Sequence, residues 1–206
     1  MTLPVASVDN DDVLVAFNRR FIPYMNGILG TNLTYEGFYS YDFRVMYPQV
    51  PWEKMLKHVE RFCHTIHHEI EPEEGAVEGM AIVRELFATH LNTSRCESTW
   101  DVTLGLLSQH GFDPLDGHHF TNGVSVKYPE RRRAKSQVCT EIGAVVHVED
   151  SAQHANEVAE ALGISVIMPI RPWNMNEELV SGVIPSRSWS ETVDLLGKIH
   201  SELARG

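Results

Sequence analysis

Cysteine is scarce and badly spaced for cross-linking or metal chemistry. The 206-residue chain has 3, Cys63, Cys96 and Cys139, an odd number with no CxxC pair. That excludes a disulfide framework and a zinc knuckle, and leaves buried or free thiols. Long apolar runs are missing too. No stretch approaches the length that crosses a bilayer, and Met1-Thr2-Leu3-Pro4 shows no basic segment leading into an apolar one, so a cytosolic protein is expected. Positive charge is in deficit: 17 Lys+Arg against 28 Asp+Glu give a formal net charge of -11. Such a balance argues against nucleic acid or an anionic membrane as partner, and any anion site must be made positive locally. HExxH is absent. His64 and His68 have a zinc-compatible spacing but no evident third ligand, so they read as a solvated helix end, as does His118-His119 in its connection. Internal repeats and low-complexity linkers are also lacking, and nothing indicates an oligomeric state.

What is present is a hydrophobic content of 43%, enough for one good core with room for a small accessory unit. The most informative stretch is Pro4 to Leu14. Val5 to Val8 is short, uncharged and partly β-branched, which suits a strand buried on both faces of a parallel sheet. It runs straight into Asp9, Asp11 and Asp12. In open α/β sheets ligands collect outside the carboxyl ends of the strands, which places Asp9 and Asp11 at the mouth of a crevice. Carboxylates so close repel, and a divalent cation with hard oxygen ligands resolves the repulsion. An inert, solvated acidic turn is the plain alternative.

Downstream, apolar residues at helical spacing predict a helix over Val13 to Leu29 with Gly30 as its stop. The aromatic run Phe38, Tyr39, Tyr41 and Phe43 follows, reading as core or as a surface for a ring. Helices are predicted over Trp52 to Phe62 and Gly75 to Phe87, then a strand over Phe87 to Asn92 ending in Thr93-Ser94-Arg95. Ser98 to His110 forms a helix, His118 to Thr121 admits a short strand, and a basic stretch from Lys127 to Arg133 leads into a helix over Ala134 to Ile142. Ala144 to Val148 is the cleanest buried strand and ends in Glu149-Asp150. A helix over Gln153 to Leu162, a last strand over Ile164 to Pro169, a loop at Arg171-Pro172-Trp173-Asn174 whose Trp173 and Asn174 border the site or pack, packing being favoured, and a final helix over Trp189 to Ala204 complete the chain. Strands alternating with helices imply a parallel sheet with right-handed crossovers. The expected fold class is α/β, a Rossmann-like three-layer parallel sheet core with a small α-helical cap inserted after the first strand. The core spans 1–16 and 81–206 and the cap 17–80.

Four groups therefore follow strands or open a helix at one edge: Asp9 with Asp11, Thr93 with Ser94, Lys135, and Glu149 with Asp150. Phosphoryl transfer needs this combination, a carboxylate nucleophile together with a metal ion, a cation and donors for the phosphoryl oxygens. Asp9-Asn10-Asp11-Asp12-Val13-Leu14 resembles the first motif of the haloacid dehalogenase (HAD) superfamily, and Lys135 through Ser151 is similar to the later motif block of its 5'-nucleotidase-like branch. Thr93-Ser94-Arg95 and the Arg171 to Asn174 loop are similar as well, and the helical insertion matches a C1-type cap.

The resemblance implies a Mg²⁺-dependent phosphatase acting through an aspartyl-phosphate on a small-molecule phosphate ester, with a 5'-nucleotide among the candidates. By it Asp9 is the nucleophile and Asp11 the general acid/base. Thr93 or Ser94, together with Lys135, holds the phosphoryl group; Lys127 is a less well placed rival to Lys135. Asp9, Asp150 and Asp11, the last through its main chain, bind the metal, with Glu149 in support. Dehalogenases of the superfamily lack an acid at the position of Asp11. A phosphomutase and a non-catalytic binding or regulatory protein of the same fold are the alternatives. Arg19, Arg20 and Arg44 are the basic cap residues best placed to meet an anionic substrate.

Overall fold

The computed structural model describes residues 2–123 and 129–205; Lys127 lies outside them. Among the described residues, six strands form one all-parallel sheet: β1 (Val5–Val8), β2 (Ala88–Thr93), β3 (Gly117–Phe120), β4 (Ala144–Val148), β5 (Ser165–Pro169) and β6 (Val183–Ser186). Their order is β3-β2-β1-β4-β5-β6, so β1 and β4 are neighbours although they are far apart in sequence, in the register Val8↔Val148. This is the doubly wound order in which the chain first winds one way from β1 and then returns to wind the other way from β4.

The described residues also form the α-helices α1 (Phe17–Leu29), α2 (Phe43–Met46), α3 (Trp52–Thr65), α4 (Ala76–Leu86), α5 (Trp100–Gln109), α6 (Lys135–Ile142), α7 (Ala152–Leu162) and α8 (Trp189–Leu203). Helices α4 and α8 pack together on one face of the sheet, and α6 and α7 on the other. The α4–α8 contact is close because Gly79 lies against the Trp189 ring, where an added Cβ would fall 2.6 Å from a ring carbon. The Trp189 indole N–H in turn donates to the Val13 carbonyl at 2.9 Å, tying this layer to the acidic turn after β1. Helices α1, α2 and α3 form the insertion between β1 and α4. Phe17, Phe21 and Phe62 pack there with ring centroids 5.1 to 5.3 Å apart, the offset and edge-on contacts that aromatic clusters favour.

Two differences from the sequence expectations have local causes. Helix α1 begins at Phe17, four residues later than predicted, because Asp12 adopts a left-handed conformation (φ 56°) and its carboxylate accepts from the Asn18 backbone N–H at 2.9 Å, capping the helix from outside it. Val15 is meanwhile drawn into bridges with Asp11 and Pro72. The second difference is β6, an edge strand beyond the strand expected to be last. Its Pro185 makes the stretch look like a loop, yet proline is tolerated on an edge. The three cysteines are buried. Among the described residues, no helix is long and apolar enough to cross a membrane.

Candidate functional site

The strand order reverses between β1 and β4, and the residues that emerge there are the acids. Asp9 leaves β1 with its backbone N–H bonded to the Val148 carbonyl at 2.9 Å, which sets it beside Glu149 and Asp150 as they leave β4. All three are at most 4% exposed, and a carboxylate oxygen from each lies within 4.8 Å of the others. Lys135 opens α6 and is also buried; its ammonium lies 2.8 Å from Asp9 Oδ1 and 2.5 Å from Glu149 Oε2. The structure thus brings Asp9, Lys135, Glu149 and Asp150 into one buried cluster.

Three carboxylates share one ammonium, and their proton affinities reflect that shortage. Burial, helped by Glu149 and Asp11 and opposed by Lys135, pushes Asp9 up from 3.8 to about 7. Burial, with the charges of Glu149, Asp12 and Asp9, raises Asp150 well above the usual carboxylate range. Glu149 goes the other way: burial acts to raise it, but Lys135, the His147 imidazole bonded to it and the nearby His154 overcome that and hold it well below. Lys135 is raised despite burial because Asp9 and Glu149 flank it. Asp9 Oδ1 also accepts no well-aligned hydrogen bond, for all the closeness of the ammonium. An all-oxygen donor set with surplus negative charge fits a hard divalent cation such as Mg²⁺.

A stability test follows from these shifts. A carboxyl whose pKa is raised on folding keeps its proton in the native state where the unfolded chain has lost it, so stability falls as pH rises from about 4 toward the native value. Asp9, Asp150 and Asp12 all shift upward. In EDTA the melting temperature is expected to fall between about pH 5 and pH 8, and Mg²⁺ is expected to flatten that slope by stabilising the ionised acids. Thermal melts across this range with and without Mg²⁺ check it; a slope unaffected by Mg²⁺ counts against a cation at these carboxylates.

Asp11 stands apart from the buried cluster. Its carboxylate is gripped by the guanidinium of Arg95, with Nε to Oδ2 at 2.9 Å and Nη2 to Oδ1 at 2.7 Å. Arg95 is itself buried and donates a further hydrogen bond to Thr103 Oγ1 at 3.0 Å. This pairing leaves the main chain of Asp11 uncommitted by its side chain. Of the two hydroxyls after β2, Thr93 is fully buried and accepts from the Arg95 backbone N–H at 3.2 Å, whereas Ser94 lines the cavity above the acids.

That cavity encloses about 600 Å³. Asp9, Asp11, Asp150, Ser94 and Arg95 line it, together with Tyr41, Phe43, Trp52 and Val59 of the insertion. Arg44 also reaches it, paired with Asp42 at 2.7 Å. The other two basic candidates have partners of their own: Arg20 is paired with Glu69, and Arg19 lies over the Tyr35 ring at 4.1 Å. Phe38 is core, edge-on to Trp173 at 5.8 Å, while Tyr39 is 65% exposed.

Sequence reasoning left Arg95 and His154 without roles; Arg95 follows Thr93 and Ser94, and its charge beside two hydroxyls was the available signal. Trp173 packs as expected but also donates its indole N–H to Asp150 Oδ2 at 2.8 Å, and Asn174 donates to the Asp150 carbonyl at 2.8 Å. The loop between β5 and β6 therefore orients one of the cluster's acids. His154, on the first turn of α7, places Nδ1 3.8 Å from Glu149 Oε1.

The fold is that of the HAD-superfamily hydrolases. A haloacid dehalogenase-like hydrolase from Streptococcus pneumoniae superposes with a TM-score of 0.65 at 13% identity, over 94% of this chain and 98% of that one. A subfamily IA hydrolase of the superfamily from Geobacter sulfurreducens gives 0.58 at 18% identity, over 94% and 100%. A Bacillus subtilis protein assigned to the HAD hydrolases, and solved bound to magnesium, gives 0.60 at 10% identity, over 95% and 99%. No protein-family profile matches the chain, and no curated protein sequence matches it.

Proposed function

We propose that the protein is a Mg²⁺-dependent phosphomonoesterase of HAD type that hydrolyses a small soluble phosphate ester in the cytoplasm, a 5'-nucleotide being one candidate. The observation that carries this reading is the buried Lys135 ammonium set between Asp9 and Glu149, with Asp150 alongside, where Asp9 and Asp150 line a cavity of about 600 Å³. In this reading Asp9 and Asp150, with the Asp11 main-chain carbonyl, hold Mg²⁺, and Glu149 supports them by fixing Lys135. When bound, the ion supplies charge stabilisation for the phosphoryl oxygens. Asp9 attacks phosphorus while the bond to the ester oxygen breaks, and Asp11 delivers a proton to the departing alcohol. Asp11 then takes a proton from water as that water attacks phosphorus and the bond to Asp9 breaks, releasing phosphate. Ser94 and Lys135 hold phosphoryl oxygens, and Arg95 sets the orientation of Asp11. The insertion serves as a cap: it leaves room for small molecules and keeps bulk solvent away while the phosphoryl group passes to Asp9.

Hydrolysis of para-nitrophenyl phosphate with Mg²⁺ and with EDTA tests the reading, and equal rates in the two would remove it. Asp11→Asn is expected to slow turnover by roughly 10²- to 10⁴-fold. It should leave Mg²⁺ affinity nearly intact, because the backbone carbonyl survives the change; titration calorimetry with Mg²⁺ measures that half of the expectation.

A further inference from the structure

Tyr41, on the insertion, lines the same cavity as Asp9, Asp11 and Asp150. It immediately precedes Asp42, whose carboxylate caps α2 by accepting from the Arg44 backbone N–H at 2.8 Å and also pairs with the Arg44 side chain, so the segment is held locally. The Tyr41 ring stands edge-on to His154 with centroids 5.7 Å apart, on the cavity surface that also carries Asp9, Asp11 and Asp150. The residue is 38% exposed, and its ring borders His154, whose Nδ1 lies 3.8 Å from Glu149 Oε1; burial and the negative charges of Asp150, Glu149, Asp9 and Asp11 raise its phenol well above the usual range, so it stays protonated. A phenol surrounded by carboxylates serves as a donor.

Each of those carboxylates already has work or a partner. Asp11 is held by Arg95, Glu149 by Lys135 and Asp150 by Trp173, and Asp9 is the nucleophile in the reading above. The acceptor that enters this space during turnover is the substrate. We infer that Tyr41 donates a hydrogen bond to an oxygen of the transferring phosphoryl group, from the part of the cavity lining that the insertion supplies. Tyr41 is then a substrate-contacting residue positioned by His154, and it makes turnover depend on the insertion being seated over the core. The inference rests on the phosphatase reading and adds a residue to it.

Tyr41→Phe tests it, since the ring and its edge contact with His154 are kept and the hydroxyl alone is removed. In Mg²⁺, vanadate binding by calorimetry and kcat/KM for para-nitrophenyl phosphate are both expected to fall by roughly 10- to 100-fold, the range for a hydrogen bond to a charged group. Mg²⁺ affinity and melting temperature should stay at wild-type values. Wild-type vanadate affinity and kcat/KM in Tyr41→Phe would overturn the inference, as would losses accompanied by a matching drop in melting temperature, which would mark a packing role. A wild-type protein that neither turns over the ester nor binds vanadate in Mg²⁺ would instead bring down the phosphatase reading, and this inference with it.

Discussion

Replacing Lys135 with methionine is expected to cost roughly 3–5 kcal/mol of stability in the metal-free protein, the range seen when one partner of a buried ion pair is removed. For a chain of this size that corresponds to a fall in melting temperature on the order of 10 °C. The cause is specific: Lys135 is 2% exposed and its ammonium separates Asp9 from Glu149, so its loss leaves two buried carboxylates facing each other across an apolar side chain. Mg²⁺ should restore part of the loss by supplying the missing positive charge, while turnover stays abolished because a donor to the phosphoryl group is gone. Differential scanning calorimetry in EDTA and in Mg²⁺ measures both halves. An unchanged melting temperature would mean that Lys135 is not the counter-charge of the cluster.

Asp9→Asn is expected to abolish turnover, by roughly 10⁴-fold or more, as removal of a covalent nucleophile does. The same change should raise the melting temperature in EDTA above neutral pH. Asp9 titrates at about 7 because its ionised form is disfavoured by burial and by Glu149, and a neutral amide of the same shape escapes that penalty. A variant both inactive and more stable is the mark of an acid kept for chemistry at a cost to the fold. If Asp9→Asn is instead less stable at this pH, the pairing with Lys135 outweighs the repulsion and the description of the cluster needs revision.

The parts of the fold that the sequence disclosed are those set by local pattern. β1 and β4 are short runs without charge that end in acids, and Gly30, Gly143 and Gly163 stop α1, α6 and α7 in left-handed conformations. Asp9, Lys135, Glu149 and Asp150 were legible because each sits where a strand ends or a helix begins, and the strand order then brings them together. The rest depends on contacts that local pattern does not encode. The Arg95–Asp11 pair joins residues 84 apart, and Trp173 reaches Asp150 across 23 residues. The late start of α1 comes from the Asp12 conformation and the bridge of Val15 to Pro72, and β6 is hidden by Pro185. Nor does spacing distinguish Thr93 from Ser94; which hydroxyl meets the cavity depends on how the chain turns after β2.

The central claim is that Asp9 attacks phosphorus, and trapping the intermediate tests it most directly. Asp11→Asn, mixed with Mg²⁺ and para-nitrophenyl phosphate and quenched in acid, should accumulate one phosphoryl group per chain because the water-activating group has been removed. Peptide mass mapping is predicted to find that group on Asp9. Turnover of the ester by the wild-type protein with no phosphoryl group on Asp9, or with one on another residue, would contradict the account.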